Sequence, residues 1–88
     1  MTQEQRATQA GYILESTVFR DVWDRIDARI LRQWRGSRDA DERSRLWLKQ
    51  QVLSEVRMEL VGEIEEMAKN GPGDGPFMQM LNRIKGWF

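Results

Sequence analysis

The 88-residue chain contains no cysteine and no histidine. Without cysteine it can form neither a disulfide nor a thiolate metal site. Without histidine it lacks the commonest metal ligand and the usual general base near neutral pH. No pair of carboxylates in the sequence is specific enough to nominate an active site. We therefore predict a protein that is not an enzyme and that needs no metal and no cofactor.

Net charge is also absent, since fourteen basic residues balance fourteen acidic ones. No overall field draws such a chain to nucleic acid or to an anionic membrane. No apolar run approaches the ~20 residues that span a bilayer, and the first eleven residues are too polar for a secretory signal. We expect a soluble intracellular protein. At this size a single core supplies only a few kcal/mol, so a homo-oligomer is expected as well.

Apolar residues recur at steps of three and four along most of the chain, which predicts an all-α protein. Three helices are expected, over residues of about 3–15, 17–35 and 40–69. Thr2 and Gln5 fit a capping box before the first helix. Together these segments form a predicted helical domain over residues 1–70.

The second and third helices are joined by a short turn, which predicts an antiparallel helical hairpin. At ~1.5 Å per residue the third helix is about 45 Å long and the second about 28 Å, so the end of the third helix extends past its partner. Val61, Ile64 and Met67 lie on this uncovered end. The first helix is the favoured cover, and a second subunit is the alternative, so these three residues are candidates for a self-interface.

Residues 71–76 form a Gly/Pro linker that tethers a strongly apolar C-terminal peptide, residues 77–88. Burial of its large side chains returns about 10 to 15 kcal/mol, whereas ordering the peptide costs about 18 kcal/mol, so it needs a surface to fold against. That surface is either the hairpin of the same molecule or another chain. We predict a docking peptide, and deletion of residues 77–88 is then expected to preserve helix content but abolish partner binding. The predicted partner-binding residues are Phe77, Met80, Leu81, Ile84, Trp87 and Phe88.

Arginines on the second helix offer a different kind of surface. Arg25, Arg29 and Arg32 could form a basic ridge, but acidic residues are interleaved with them and favour a solvated, salt-bridged face. A nucleic-acid site at these three arginines is therefore the alternative, and membrane binding is not expected.

The middle of the chain resembles a known group of proteins over residues 13 to 62. The likeness is carried by the run Ile13-Leu14-Glu15-Ser16-Thr17-Val18-Phe19, by Gln33-Trp34-Arg35 before an Asp-rich turn, and by Glu42-Arg43, Leu46-Trp47-Leu48, Glu55-Val56-Arg57 and Leu60 after it. In these features the chain is similar to small helical proteins encoded among the virion-assembly genes of tailed bacteriophages. The resemblance implies a non-enzymatic virion or assembly role.

The leading hypothesis is thus a structural or assembly protein of a bacteriophage virion, found in the virion or the host cytoplasm. It would bind a capsid, portal or tail component through its C-terminal peptide and helical hairpin. The alternative is an oligomeric nucleic-acid-binding assembly factor, such as a small DNA-packaging subunit.

Overall fold

The computed structural model describes residues 1–71, 73 and 75–87. Over these residues the all-α prediction is confirmed, because every regular element is a helix. The helices are α1 (Gln3–Glu15), α2 (Thr17–Gly36), α3 (Ala40–Lys69) and α4 (Pro76–Lys85). One of the predicted partner-binding residues, Phe88, lies outside the described residues.

Each of the first three helices begins at a side-chain cap. The capping box predicted at Thr2 is confirmed: its Oγ1 accepts a hydrogen bond from the Gln5 backbone N–H at 3.1 Å, and the Gln5 Oε1 accepts one from the Thr2 N–H at 2.9 Å. The Ser16 side chain caps α2 by accepting from the Phe19 N–H, and the Asp39 carboxylate caps α3 by accepting from the N–H groups of Asp41 and Glu42. These caps satisfy backbone donors that a helix start leaves unpaired, so the chain can turn sharply twice.

α3 sets the length of the molecule, whose extents are 50 × 23 × 21 Å. α2 runs antiparallel to its first half. The Arg43 guanidinium lies 4.3 Å from the centre of the Trp34 ring, and Gln50 Nε2 donates to Asp27 Oδ1 at 2.7 Å. The contact that lies later on α3, at Gln50, lies earlier on α2, at Asp27, so the two helices run antiparallel.

The second half of α3 carries the main core, together with α1 and α4. The three largest fully buried side chains are Leu14, Ile64 and Ile84, one from each of these helices. The rest of this core is formed by Ala10, Val61, Ala68, Met80 and Leu81. The molecule is therefore thick at one end, where α1 and α4 flank α3, and only two helices thick at the other.

The sequence of α4 explains both where the helix begins and which face of it is buried. Pro76 stands at the first helical position, where its fixed φ suits a helix start and its missing N–H costs nothing. The apolar residues of α4 then fall on one face, which packs on α1 and α3. The tethered peptide is thus a fourth helix of the same molecule.

Candidate protein-binding surface

The predicted docking peptide lies in the protein's own core. Met80, Leu81 and Ile84 are buried, and Phe77 and Trp87 pack partly buried against the same cluster. This placement corrects the expectation that these side chains are free for another chain. The physical reason is that α1 and the end of α3 expose an apolar surface within reach of the short linker.

The predicted self-interface is covered as well. Val61 and Ile64 are buried between α1, α3 and α4, and Met67 is partly buried. These residues are therefore not available to a second subunit in this fold, which corrects that prediction. The first helix is the cover that the sequence favoured, and α4 supplies the rest.

An aromatic cluster joins the last turn of the chain to α2. Trp87 meets Phe19 and Trp23 edge-on, with ring centres 6.0 and 5.8 Å apart. The guanidinium of Arg57 lies 5.4 Å from the Trp87 ring centre and 5.5 Å from that of Trp23, while Trp87 Nε1 donates to the Asp24 carboxylate at 3.3 Å. Such cation–π and edge contacts are typical of a packed seam. The cluster closes the thick end of the molecule.

The proposed basic ridge exists as a surface feature. Arg25, Arg29 and Arg32 are all exposed on α2, and Arg25 Nε donates a hydrogen bond to the Asp21 backbone carbonyl at 3.4 Å. The ridge extends for only about 10 Å, because its ends are seven residues apart on a helix. It is shorter than the positive stripe that a nucleic-acid site normally presents.

An exposed ion pair ties α1 to α3. Arg6 Nη2 lies 2.6 Å from Glu63 Oε1, and Gln3 Nε2 donates to Glu63 Oε2 at 3.0 Å. The hydrogen bond from Arg6, followed by that from Gln3, holds the pKa of the Glu63 carboxyl below its usual range. The same pairing raises the pKa of Arg6. The carboxylate of Glu63 is therefore occupied by side chains of α1.

The α2–α3 pair projects beyond the main core, and we call this part, residues 22–59, the arm. Trp87 contacts its base at Trp23 and Asp24. Several large apolar side chains of the arm are substantially exposed. They are Val22, Leu31, Trp47, Leu48, Val52 and Val56. The pattern of α2 is wider than one neighbouring helix can cover, so its edges stay in solvent.

One side of the arm contains an apolar groove of about 690 Å³, here called the arm groove. Its floor is formed by apolar side chains of both helices, and three cationic side chains stand at its rim. It is lined by Ile26, Arg29, Ile30, Gln33, Arg45, Leu48, Lys49, Val52 and Leu53. A groove of this composition suits a helix with an apolar face.

The other side of the arm presents Trp47 and Leu31, here called the Trp47 face. Trp47 is 53 % exposed and Leu31 44 % exposed. The antiparallel register set by Asp27 and Gln50 brings these two residues to about the same level along the arm. A large, exposed aromatic side chain beside an aliphatic one is typical of the anchors that dominate protein interfaces.

Most of the arm groove was not predicted from the sequence, although the spacing of apolar residues on α3 indicates it. Leu48, Val52 and Val56 are spaced four apart, so they form a second apolar stripe on α3. It runs beside the seam of Leu46 and Leu53 that faces α2. Two stripes on one helix indicate two apolar neighbours, and the fold supplies only one at this level.

Among the described residues, no three acidic side chains lie close enough together to hold a metal ion. A second groove, of about 730 Å³, lies between α3 and α4 and is lined by Met58, Glu65, Lys69, Met78 and Lys85 among others. Within the part of the chain that the structure describes, no helix is both long and apolar enough to cross a membrane.

Fold and surface together define a small all-α protein with a packed end, where α1 and α4 flank α3, and a projecting two-helix arm that exposes apolar side chains. Comparison of this chain with protein-family models, with curated proteins and with solved structures found no match. Its function is therefore argued from its own residues.

Proposed function

We propose that this chain is a non-enzymatic binding protein that attaches to a larger assembly through its arm. The observation that carries the proposal is the exposure of Trp47 and Leu31 on a part of the hairpin that neither α1 nor α4 reaches. Apolar side chains this large are costly to leave in water, so a partner that covers them gains free energy.

The proposed assembly is a bacteriophage virion, and the proposed partner is a capsid, portal or tail component. This part of the proposal is supported by the resemblance over residues 13 to 62, which includes the whole arm and excludes α4. The binding surface and the resemblance thus fall on the same segment. The protein would occur in the virion, or in the host cytoplasm during assembly.

Co-expression of the chain with the products of the genes beside its own tests the proposal. The chain should co-purify with one of them as a complex of defined mass. Trp47→Ser should weaken that complex by about 30-fold, the equivalent of about 2 kcal/mol for an aromatic anchor. Helix content should not change, because Trp47 is half exposed.

Tyr12→Ser is the matched control, since Tyr12 is an exposed aromatic residue on α1, outside the arm. It should leave the complex intact. Equal loss of binding in both variants, or no loss in either, would show that the Trp47 face is not the binding surface. If no neighbouring gene product binds, the virion-assembly role itself is wrong.

A further inference from the structure

A self-complementary strip lies along the exposed side of the arm. It consists of five α3 residues at steps of three and four, which places them on one face of the helix: Arg45, Leu48, Val52, Val56 and Glu59. Leu48 and Val56 lie four residues on either side of Val52. Arg45 and Glu59 lie seven residues on either side, so the strip has a base at one end and an acid at the other.

We propose that the arm groove and this α3 strip are the contact surface for a second copy of this chain, packed antiparallel about a two-fold axis at Val52. In this arrangement Val52 meets Val52 of the partner subunit, and Leu48 meets Val56 of the partner subunit. Arg45 then faces Glu59 of the partner subunit. Because the axis is two-fold, the Leu48 contact and the Arg45 contact each occur twice in the dimer. The charges that would repel in a parallel pairing thus attract in the antiparallel one.

The apolar side chains of α2 are also compatible with a two-fold axis at Val52. The hydrogen bond between Asp27 and Gln50 sets Ile26 beside the middle of the strip. Val22 and Ile30 then lie one turn to either side of Ile26, so the apolar side chains of α2 are also distributed symmetrically about the axis. Two arms packed in this way form a four-helix bundle with an apolar interior.

The open length of the arm matches a second arm. Glu63, which pairs with Arg6 of α1, lies 11 residues after Val52, and Ala40, the first residue of α3, lies 12 residues before it. These separations are about 16 and 18 Å of helix. The tip of a second arm therefore ends level with the Arg6–Glu63 pair. There Asp41 of the partner subunit faces a carboxylate that Arg6 already neutralises.

This inference concerns the opposite side of the arm from the Trp47 face and does not depend on a foreign partner. Sedimentation equilibrium of the full chain should give a mass of about 21 kDa, twice the 10.4 kDa of one chain. Val52→Lys brings two like charges together at the axis and should yield a monomer with unchanged helix content. A full-length chain that stays monomeric at high micromolar concentration would overturn the proposal.

Charge reversal identifies the register. Arg45→Glu alone and Glu59→Arg alone each set like charges against each other twice, and each should raise the dissociation constant about tenfold or more. An equimolar mixture of these two variants should form a one-to-one heterodimer, because every facing pair is then opposite in charge. The double variant should likewise regain the dimer.

Glu65→Arg, an equal reversal on the α4 side of α3, is the control and should leave the dimer unchanged. A dimer that tolerates Val52→Lys and both single reversals would place the interface elsewhere and refute the arm pairing. Circular dichroism of every variant separates loss of association from loss of folding.

Discussion

At the scale of single residues, Gly11 shows how the thick end is packed. A Cβ at this position would overlap the Met80 Sδ and lie 2.7 Å from its Cε. Within a helix, glycine costs about 1 kcal/mol relative to alanine. The sequence alone indicates only that cost, whereas the structure shows that the missing side chain makes room for α4.

Gly11→Ala should therefore destabilise the protein by about 1 kcal/mol, because overpacking costs more than the improved helix propensity returns. In a Met80→Ala background the same change should stabilise it by about 0.5–1 kcal/mol, since the obstructing atoms are gone. Urea denaturation of the four proteins measures both effects. Gly62→Ala is the matched control, because its Cβ would meet nothing within 4 Å, and it should be stabilising in either background. An equal effect of Gly11→Ala in both backgrounds would contradict the close contact.

The Arg6–Glu63 pair predicts a pH dependence of stability. Because the pKa of Glu63 is lower in the folded than in the unfolded state, the contribution of the pair is fully present above the unfolded value of about 4.3. It is lost as the pH falls through the folded value. The difference in unfolding free energy between the native chain and Glu63→Gln should thus be constant near neutral pH and shrink below about pH 4.

Chemical denaturation at a series of pH values measures this difference. Glu66→Gln, which replaces an exposed carboxylate outside both ion pairs, should show no comparable change. A difference for Glu63→Gln that is flat down to acidic pH would mean that the pair does not form in solution.

At the scale of elements, the sequence predicts each helix but not every neighbour. Thr2, Ser16 and Asp39 mark helix starts through hydrogen bonds to residues two or three positions away. Because these contacts are local, the sequence is enough to predict them. The apolar face of α4 is equally visible, but a pattern shows only that a face is apolar and not which surface covers it. The close fit of Met80 against Gly11 depends on contacts between residues far apart in the chain, so it could not be derived from spacing.

The arm shows the same limit of sequence-based prediction, here for side chains that are expected to be buried. Val22 and Leu31 belong to the apolar residues of α2 that recur at steps of three and four, which predicts a buried face, but the structure leaves both substantially exposed. Burial depends on how many neighbours a helix has at each level. The length mismatch between α2 and α3 indicated an uncovered region, but α1 and α4 fill the region past the end of α2 and leave the arm open.

At the scale of the whole molecule, the thick end and the arm have different roles. The thick end supplies the stability of the fold, because the core of α1, α3 and α4 lies there. The arm exposes apolar side chains and contributes less burial of its own. A change at one end should thus affect folding, and a change at the other should affect association.

Removal of α4 tests this division most directly. A chain ending at Asn70 loses Met80, Leu81 and Ile84 from the core and uncovers Leu14 and Ile64. Each lost side chain removes about 1.5–3 kcal/mol of burial. Their sum, about 5–9 kcal/mol, is comparable with the total stability expected for a domain of this size, about 4–13 kcal/mol. The truncated chain should lose its cooperative thermal transition and bind a hydrophobic dye, whereas a tail that only docked on a partner would leave the transition unchanged.

Two point variants of α4 refine the result. Ile84→Ala, at a fully buried position, should lower the unfolding free energy by about 2–5 kcal/mol. Asn82→Ala, on the exposed side of the same helix, should have little effect. If instead the chain ending at Asn70 melts cooperatively at the temperature of the full chain, α4 contributes nothing to the core in solution. It would then be free to dock on another chain, as its apolar sequence first suggested.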